Sequence, residues 1–271
     1  MNAEQILFER KGRVAIVTIN RPEKMNAFNE SLFERLGIIA EGLKAKTPRA
    51  VVITGAGKTS FCAGFDVNPD NPMVARIVNA MSAGHSEPAR QLIYSIRKVV
   101  DSFMSVPVPL IAALNGSAYG GGTEMAARCD LRVMDPEAVI CFSEVRLGLM
   151  PDWGGCAALA RLVGPSRAAD LILTARKITS SEASAMGLVN KISERGRALD
   201  EAIALAEMIA ENGPKAVRNA LSLIREYQNV SFSASLHMEA ELAATLISSG
   251  ECFHGVSAFL EKKKPEFPDV E

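Results

Sequence analysis

Aromatic side chains are scarce in this 271-residue chain: they make up 6% of it, and Trp153 is the only tryptophan. Metal-binding chemistry is equally thin. His85, His237 and His254 stand alone, and the five cysteines, Cys62, Cys129, Cys141, Cys156 and Cys252, show neither a C-x-x-C pair nor Cys/His ligand spacing. That pattern argues against a zinc-type site and a disulfide framework, so reduced thiols and no metal are expected. An excess of one charge is also missing: 30 Lys and Arg against 31 Asp and Glu leave a net charge of -1. No global field is available to gather nucleic acid or an anionic membrane, and neither is expected as a partner. The longest apolar runs, such as residues 107–114, are far too short to span a bilayer and are interrupted by proline and glycine. The N-terminal stretch lacks the basic segment and apolar run of a secretory leader. A cytoplasmic protein is expected, holding any anionic ligand by local chemistry.

What is present is a globular composition, 48% hydrophobic and 23% charged, enough for one large core. The β-branched run Val14–Ile19 reads as a strand that enters a turn at Asn20-Arg21-Pro22. Asn29 or Ser31 then opens a helix with Leu32, Phe33, Leu36, Ile39, Ala40 and Leu43 on one stripe. Residues 50–54 form a compact apolar strand ending at Gly55-Ala56-Gly57, which lacks the spacing of a nucleotide P-loop. A helical pattern runs from about Val74 to Met104, weakened around residues 80–88, where a mobile loop able to cover a ligand is expected. A buried strand over 107–114 leads through Asn115-Gly116 to the triplet Gly120-Gly121-Gly122. A short helix over 123–128 and strands over 131–134 and 138–142 complete an alternation of β and α elements. From Gly154 onward amphipathic helices dominate. The spacing divides the chain into a core over 1–195 and a helical region over 196–271.

Two places set small residues directly before helix starts, Ala63-Gly64 and Gly120-Gly121-Gly122. Free N–H groups at helix N-termini carry partial positive charge, and small side chains let a ligand oxygen approach them. Facing one another, two such loops would make an oxyanion hole. Glu124 follows the triplet within the first helical turn, and Glu144 precedes the turn Gly148-Leu149-Met150-Pro151. The plain alternatives are that Glu124 caps its helix and that Glu144 is a solvated strand-end charge.

These motifs, taken in order, resemble the crotonase superfamily, the enoyl-CoA hydratase/isomerase family. The resemblance runs from Asn20-Arg21-Pro22 and Asn26-Ala27 through Phe61-Cys62-Ala63-Gly64-Phe65-Asp66. It continues through Asn115-Gly116, Gly120 to Glu124 and Cys129-Asp130, then Glu144 to Pro151 and Gly154-Gly155, ending at Ala258 to Pro265. It implies an α/β spiral of ββα turns with a helical C-terminal region that builds a homotrimer, often paired into a hexamer. It also implies an acyl-CoA thioester substrate and no separate cofactor, coenzyme A being part of the substrate. By position, Ala63 and Gly121 would give N–H groups to the thioester oxygen, and Glu124 and Glu144 would move protons. Lys24, Met25, Asn26 and Ala27 would lie along the coenzyme, and Gly64, Phe65, Asp66 and Gly120 would line the site. Phe259 and Lys262 would reach a coenzyme on a neighbouring subunit.

Departures from the pattern matter too. Asp152 stands where many hydratases have glycine, as in dienoyl-CoA isomerases of the superfamily, so a proton-shuttling isomerase is the alternative. After a proline it could equally cap a helix beginning near Trp153. Trp153 replaces a small residue, either as packing or as a wall that shortens or flattens the acyl pocket. Ser143 stands where proline is usual, and Phe65 where a small residue is common.

Overall fold

The computed structural model describes residues 4–269; Met1 to Ala3, the start of the stretch read above as carrying no leader, lie outside them, as do residues 270 and 271. The chain opens with strands β1 (Ile6–Lys11) and β2 (Val14–Ile19), paired antiparallel around a tight turn. Gly12 sits in that turn at φ +58°, a conformation a side chain would strain. Strand β1 escaped the sequence reading because it is an edge strand whose residues beyond Ile6 are exposed, leaving no buried alternation to detect. Helix α1 (Glu30–Ala45) begins where expected: the Asn29 side chain caps it by accepting the Leu32 N–H at 3.0 Å. The predicted apolar stripe, from Leu32 to Leu43, is its buried face.

Three passes then follow one plan. Strand β3 (Ala50–Gly55) turns a corner into β4 (Ser60–Cys62), followed by α2 (Pro72–Ser82) and α3 (Glu87–Met104). Strand β5 (Leu110–Leu114) turns into β6 (Ser117–Tyr119) and α4 (Gly121–Arg128). Strand β7 (Leu131–Met134) turns into β8 (Val139–Cys141), a single 3-10 turn (Glu144–Leu147) and α5 (Gly155–Val163). The first strand of each pass joins one sheet and the second joins another. With β9 (Ile178–Thr179) and β10 (Lys191–Ile192) added, the orders are β1-β2-β3-β5-β7-β10 and β4-β6-β8-β9. This is a spiral of ββα turns, the expected architecture. The break expected near 80–88 is the short connection between α2 and α3.

The half-buried amide of Asn115 holds the corners between sheets. Asn115 accepts the Gly55 N–H and the Thr54 hydroxyl, both at 3.1 Å, and donates to Gly55 O and Gly57 O. Gly116 beside it has no room for a side chain, since a Cβ would lie 2.3 Å from the Thr59 backbone. The Asn-Gly pair of the sequence therefore ties the first corner to the second.

After α5 come α6 (Pro165–Thr174), α7 (Ser180–Ala185), α8 (Ala198–Ala210), α9 (Pro214–Glu226), α10 (Phe232–Ser248) and α11 (Glu251–Leu260). Helix α8 lies beyond the division expected at residue 195 yet packs on the core. Ala202, Ile203, Ala206 and Ala210 form a small-residue stripe that buries α8 on β2, β3, β5 and β7, so the sheet's outer core is completed from beyond the boundary. Helices α10 and α11 are different, leaving Phe232, Phe253, Phe259 and Leu260 largely exposed. Among the described residues no helix is long and apolar enough to cross a membrane.

Asn115→Ala strips four hydrogen bonds from the corner and leaves buried backbone groups unpaired. A loss of about 2–4 kcal/mol in urea denaturation is expected, at the level of a core cavity.

Candidate active site

The glycine triplet lies where two passes of the spiral meet. Gly120 takes φ +51° and donates its N–H to Cys141 O at 3.0 Å, which turns the chain from β6 into α4. The helix starts at Gly121, two residues earlier than expected. As the first helical residue Gly121 has no carbonyl one turn back to receive its N–H. Close by is the end of β4. A Cβ on Gly64 would stand 2.7 Å from the Gly121 nitrogen, so only glycine lets the two segments approach.

One expected donor is corrected. The Ala63 N–H donates to Met25 O at 3.0 Å and is spent on holding the loop before α1. At Phe65, expected only to line the site, the N–H is turned the other way. Phe65 pairs with Phe28 in a parallel bridge in which Phe28 N–H reaches Gly64 O and Asp66 N–H reaches Phe28 O. In such a ladder the bonds alternate sides, so the Phe65 N–H faces away from Phe28. Among the described residues it has no acceptor. The alternation of strand N–H groups is the signal that singles out Phe65, whereas small residues alone point to Ala63.

Glu124 sits one turn into α4 and is 1% exposed. Its Oε2 accepts the N–H groups of Trp153 at 2.8 Å and Gly155 at 2.7 Å. The plain capping alternative is thus half right, but the helix capped is α5, not the one that carries the glutamate. Asp152 does not cap it: α5 begins at Gly155 with Gly154 before it at φ +104°, and among the described residues the side chain that bonds its first N–H is that of Glu124. Burial pushes the Glu124 carboxyl up to about 8, opposed by the Gly155 N–H and reinforced by the nearby Glu144 and Asp152 charges.

Glu144 is not a solvated strand-end charge. Both its carboxyl oxygens are buried and without a hydrogen-bond partner among the described residues. Its Oε1 and the Ser143 Oγ each lie 3.6 Å from where a Gly120 side chain would begin, so the carboxyl faces the glycine turn. Burial raises its pKa, and the Asp152 charge adds to the shift. Asp152 is itself raised by burial, with Arg97 acting the other way. Three carboxyl groups therefore share one partly dry pocket and titrate as a set. Trp153 closes a side of it. Its indole packs in T-shaped contact with Phe28 and Phe33, and a Cβ on Gly121 would come within 2.6 Å of the ring.

The remaining expected residues divide. Asn26 is fully buried with its amide committed, accepting from Arg21 N and donating to Ala56 O and Ser60 O. Asp66 pairs with Arg21 at 2.9 Å and accepts the Asn68 N–H. Both side chains are committed to shaping the loop. Ala27 is buried, and its carbonyl is held by Arg21 at 2.6 Å. Lys24 and Met25 are exposed on the rim. Phe259 and Lys262 are exposed at the C-terminal end of α11 and just beyond it.

Comparison with known proteins places the chain in a family. The family model described as enoyl-CoA hydratase/isomerase matches residues 9–270. The chain belongs to the enoyl-CoA hydratase/isomerase family. Relatives in it include the short-chain-enoyl-CoA hydratase of Clostridium acetobutylicum, 34% identical with 98% of each chain covered. The 2,3-dehydroadipyl-CoA hydratase of Escherichia coli is 32% identical over 97% of this chain and 98% of its own. The crystal structure of an enoyl-CoA hydratase from Bacillus anthracis superposes with a TM-score of 0.88 at 33% identity, covering 97% of this chain and 99% of that one.

The raised carboxyl of this family member has a consequence for stability. A group whose folded pKa lies above its unfolded value of 4.5 contributes fully below that value and loses its contribution as pH rises through about 8. Glu124→Gln cannot ionise, so its stability relative to wild type should improve steadily across that window and level off beyond it. Urea midpoints of both proteins at about pH 5 and about pH 9 check this, and a difference independent of pH would contradict the raised value.

Proposed function

We propose that the chain adds water reversibly to a 2-enoyl-CoA, giving a 3-hydroxyacyl-CoA. The observation that carries this is the pair of buried carboxyls, Glu124 and Glu144, set beside the unpaired N–H groups of Gly121 and Phe65. Water attack at Cβ pushes charge onto the thioester oxygen. Two fixed N–H donors there stabilise the enolate without reorganising, each worth about 3 kcal/mol of barrier. Glu124 has its Oε2 occupied by two N–H groups, which leaves Oε1 to orient and deprotonate the water. Glu144, with both oxygens uncommitted, hands a proton to Cα. The relatives named as hydratases support the same reading.

Coenzyme A would run along Lys24, Met25 and Ala27 at the rim. The exposed Phe253, Phe259 and Leu260 of α11 support a trimer, or a pair of trimers, in which Phe259 and Lys262 reach a neighbouring site. Trp153 fills the space next to Gly121, so the acyl group is short or flat.

A second reading has one observation behind it: Asp152 adds a third carboxyl to the pocket, as an isomerase shuttling protons along a conjugated chain would use. Turnover in oxygen-labelled water separates them, since only hydration places label in the product. Glu124→Gln and Glu144→Gln should each lower kcat by about 10²-fold or more with substrate still bound. Asp152→Asn should matter little for a hydratase and much for an isomerase. Trp153→Ala should raise the preference for octenoyl-CoA over crotonyl-CoA, as the ratio of kcat/KM values, by about tenfold.

A further inference from the structure

The peptide that grips Glu124 is itself gripped from behind. Trp153 N–H donates to Glu124 Oε2, and the carbonyl of that same peptide, Asp152 O, accepts from Arg97 Nη1 at 3.4 Å. The next carbonyl, Trp153 O, accepts from Arg128 Nη1 at 2.7 Å. Arg128 lies one turn after Glu124 on α4, so this helix holds the 153–155 segment by its N–H groups with one side chain and by its carbonyl with another. Asp101 of α3 joins the two arginines, with Oδ1 at 2.7 Å from Arg128 and Oδ2 at 3.4 Å from Arg97. Gly154 is part of the fit: at φ +104° it leaves room where a Cβ would stand 3.0 Å from Arg128 Cδ.

We propose that Arg97 and Arg128, braced by Asp101, are positioning residues for Glu124, clamping the carbonyl side of the segment whose N–H groups orient its carboxylate. This rests on the hydratase reading for its kinetic consequence, not for its geometry. Arg97, on the oxygen of the 152–153 peptide, polarises that peptide and strengthens the Trp153 N–H as a donor to Oε2, while Arg128 on Trp153 O fixes the turn that presents the Gly155 N–H. The groups that face Glu124 directly are of the opposite kind: Glu144 from the 3-10 turn, Asp152 from the loop after it, and the Cys156 thiol from α5. Arg128 on its own helix and Arg97 on α3, acting through the 152–154 peptides, are the cations set against them.

The test is Arg97→Met, Arg128→Met and Asp101→Asn beside wild type, with Arg128→Lys as the conservative variant. Arg128→Met should lower kcat on the order of 10²-fold, with KM changed by less than about threefold. The ascending limb of kcat against pH should move to higher pH, because the ionised carboxylate loses support, and lysine should return part of both effects. Asp101→Asn keeps both guanidinium groups and should move the limb the same way by less. It decides the matter if the methionine variants do not fold. An unmoved limb in the folded variants, whatever the change in rate, would overturn the proposal. A second measurement is independent of turnover: carbon NMR titration of the Glu124 carboxyl in a Glu144→Gln background, with and without Arg97→Met or Arg128→Met. A higher midpoint in the arginine variants supports the clamp and an equal one refutes it. Wild-type protein that hydrates no enoyl-CoA would defeat the functional reading alone, leaving the titration to judge the clamp.

Discussion

The geometry of the pocket depends on one carboxylate oxygen taking two backbone N–H groups. Glu124 Oε2 joins α4, from the second pass of the spiral, to the start of α5, from the third. A buried carboxylate needs donors, and the first N–H groups of a helix need acceptors; each satisfies the other. The bond sets the glutamate's orientation and also the path of the segment carrying Asp152 and Trp153, so the third acid and the indole wall are placed by the same contact. Gly155 has no alternative as its partner, since a Cβ there would lie 2.5 Å from Glu124 Cγ.

Close approach explains the other small residues better than backbone freedom does. Gly121 and Gly122 have ordinary helical φ, yet a Cβ on the first would strike the Trp153 ring and on the second would stand 2.3 Å from Cys62 O. Packing at these distances brings a helix start within reach of a strand end. Two N–H groups from elements far apart in sequence come to share one site for that reason.

Legibility followed the reach of each physical signal. Of the two expected openers of α1, Asn29 and Ser31, the structure takes Asn29 as the cap, and the α1 stripe is local and stands as the sequence implied. So does the pairing of glycine turn with glutamate, because a helix start and its first turn are set by a few consecutive residues. Ala63 and Phe65 show where local reasoning ended. Which N–H of a strand end is free depends on its partner, and Phe28 lies too far along the chain for that pairing to be read. Asn26 and Asp66 illustrate the same limit. A polar motif residue suggests a ligand contact until its hydrogen bonds are counted, and here Arg21, two corner carbonyls and the Asn68 N–H engage the two side chains. Arg97, Asp101 and Arg128 carried no signal, since surface-like charges on helices are ordinary. Their significance lies in the two carbonyls they reach.

Glu144 poses the converse problem to Glu124. Its two oxygens are buried with no donor among the described residues, an arrangement that costs several kcal/mol if the group is ionised. The fold meets that cost by raising its pKa, so that the group is held closer to its neutral form. A carboxyl left without structural partners is free to bond a reactant, which one saturated by the fold is not. The division of labour in the proposed hydration follows from this asymmetry. The glutamate anchored by two N–H groups keeps a single oxygen in a set direction, suited to aligning a water molecule. The unanchored one keeps both oxygens open to a reactant, suited to proton transfer at the carbon beside the enolate. In that proposal two residues of the same type differ in duty through the number of backbone donors each receives.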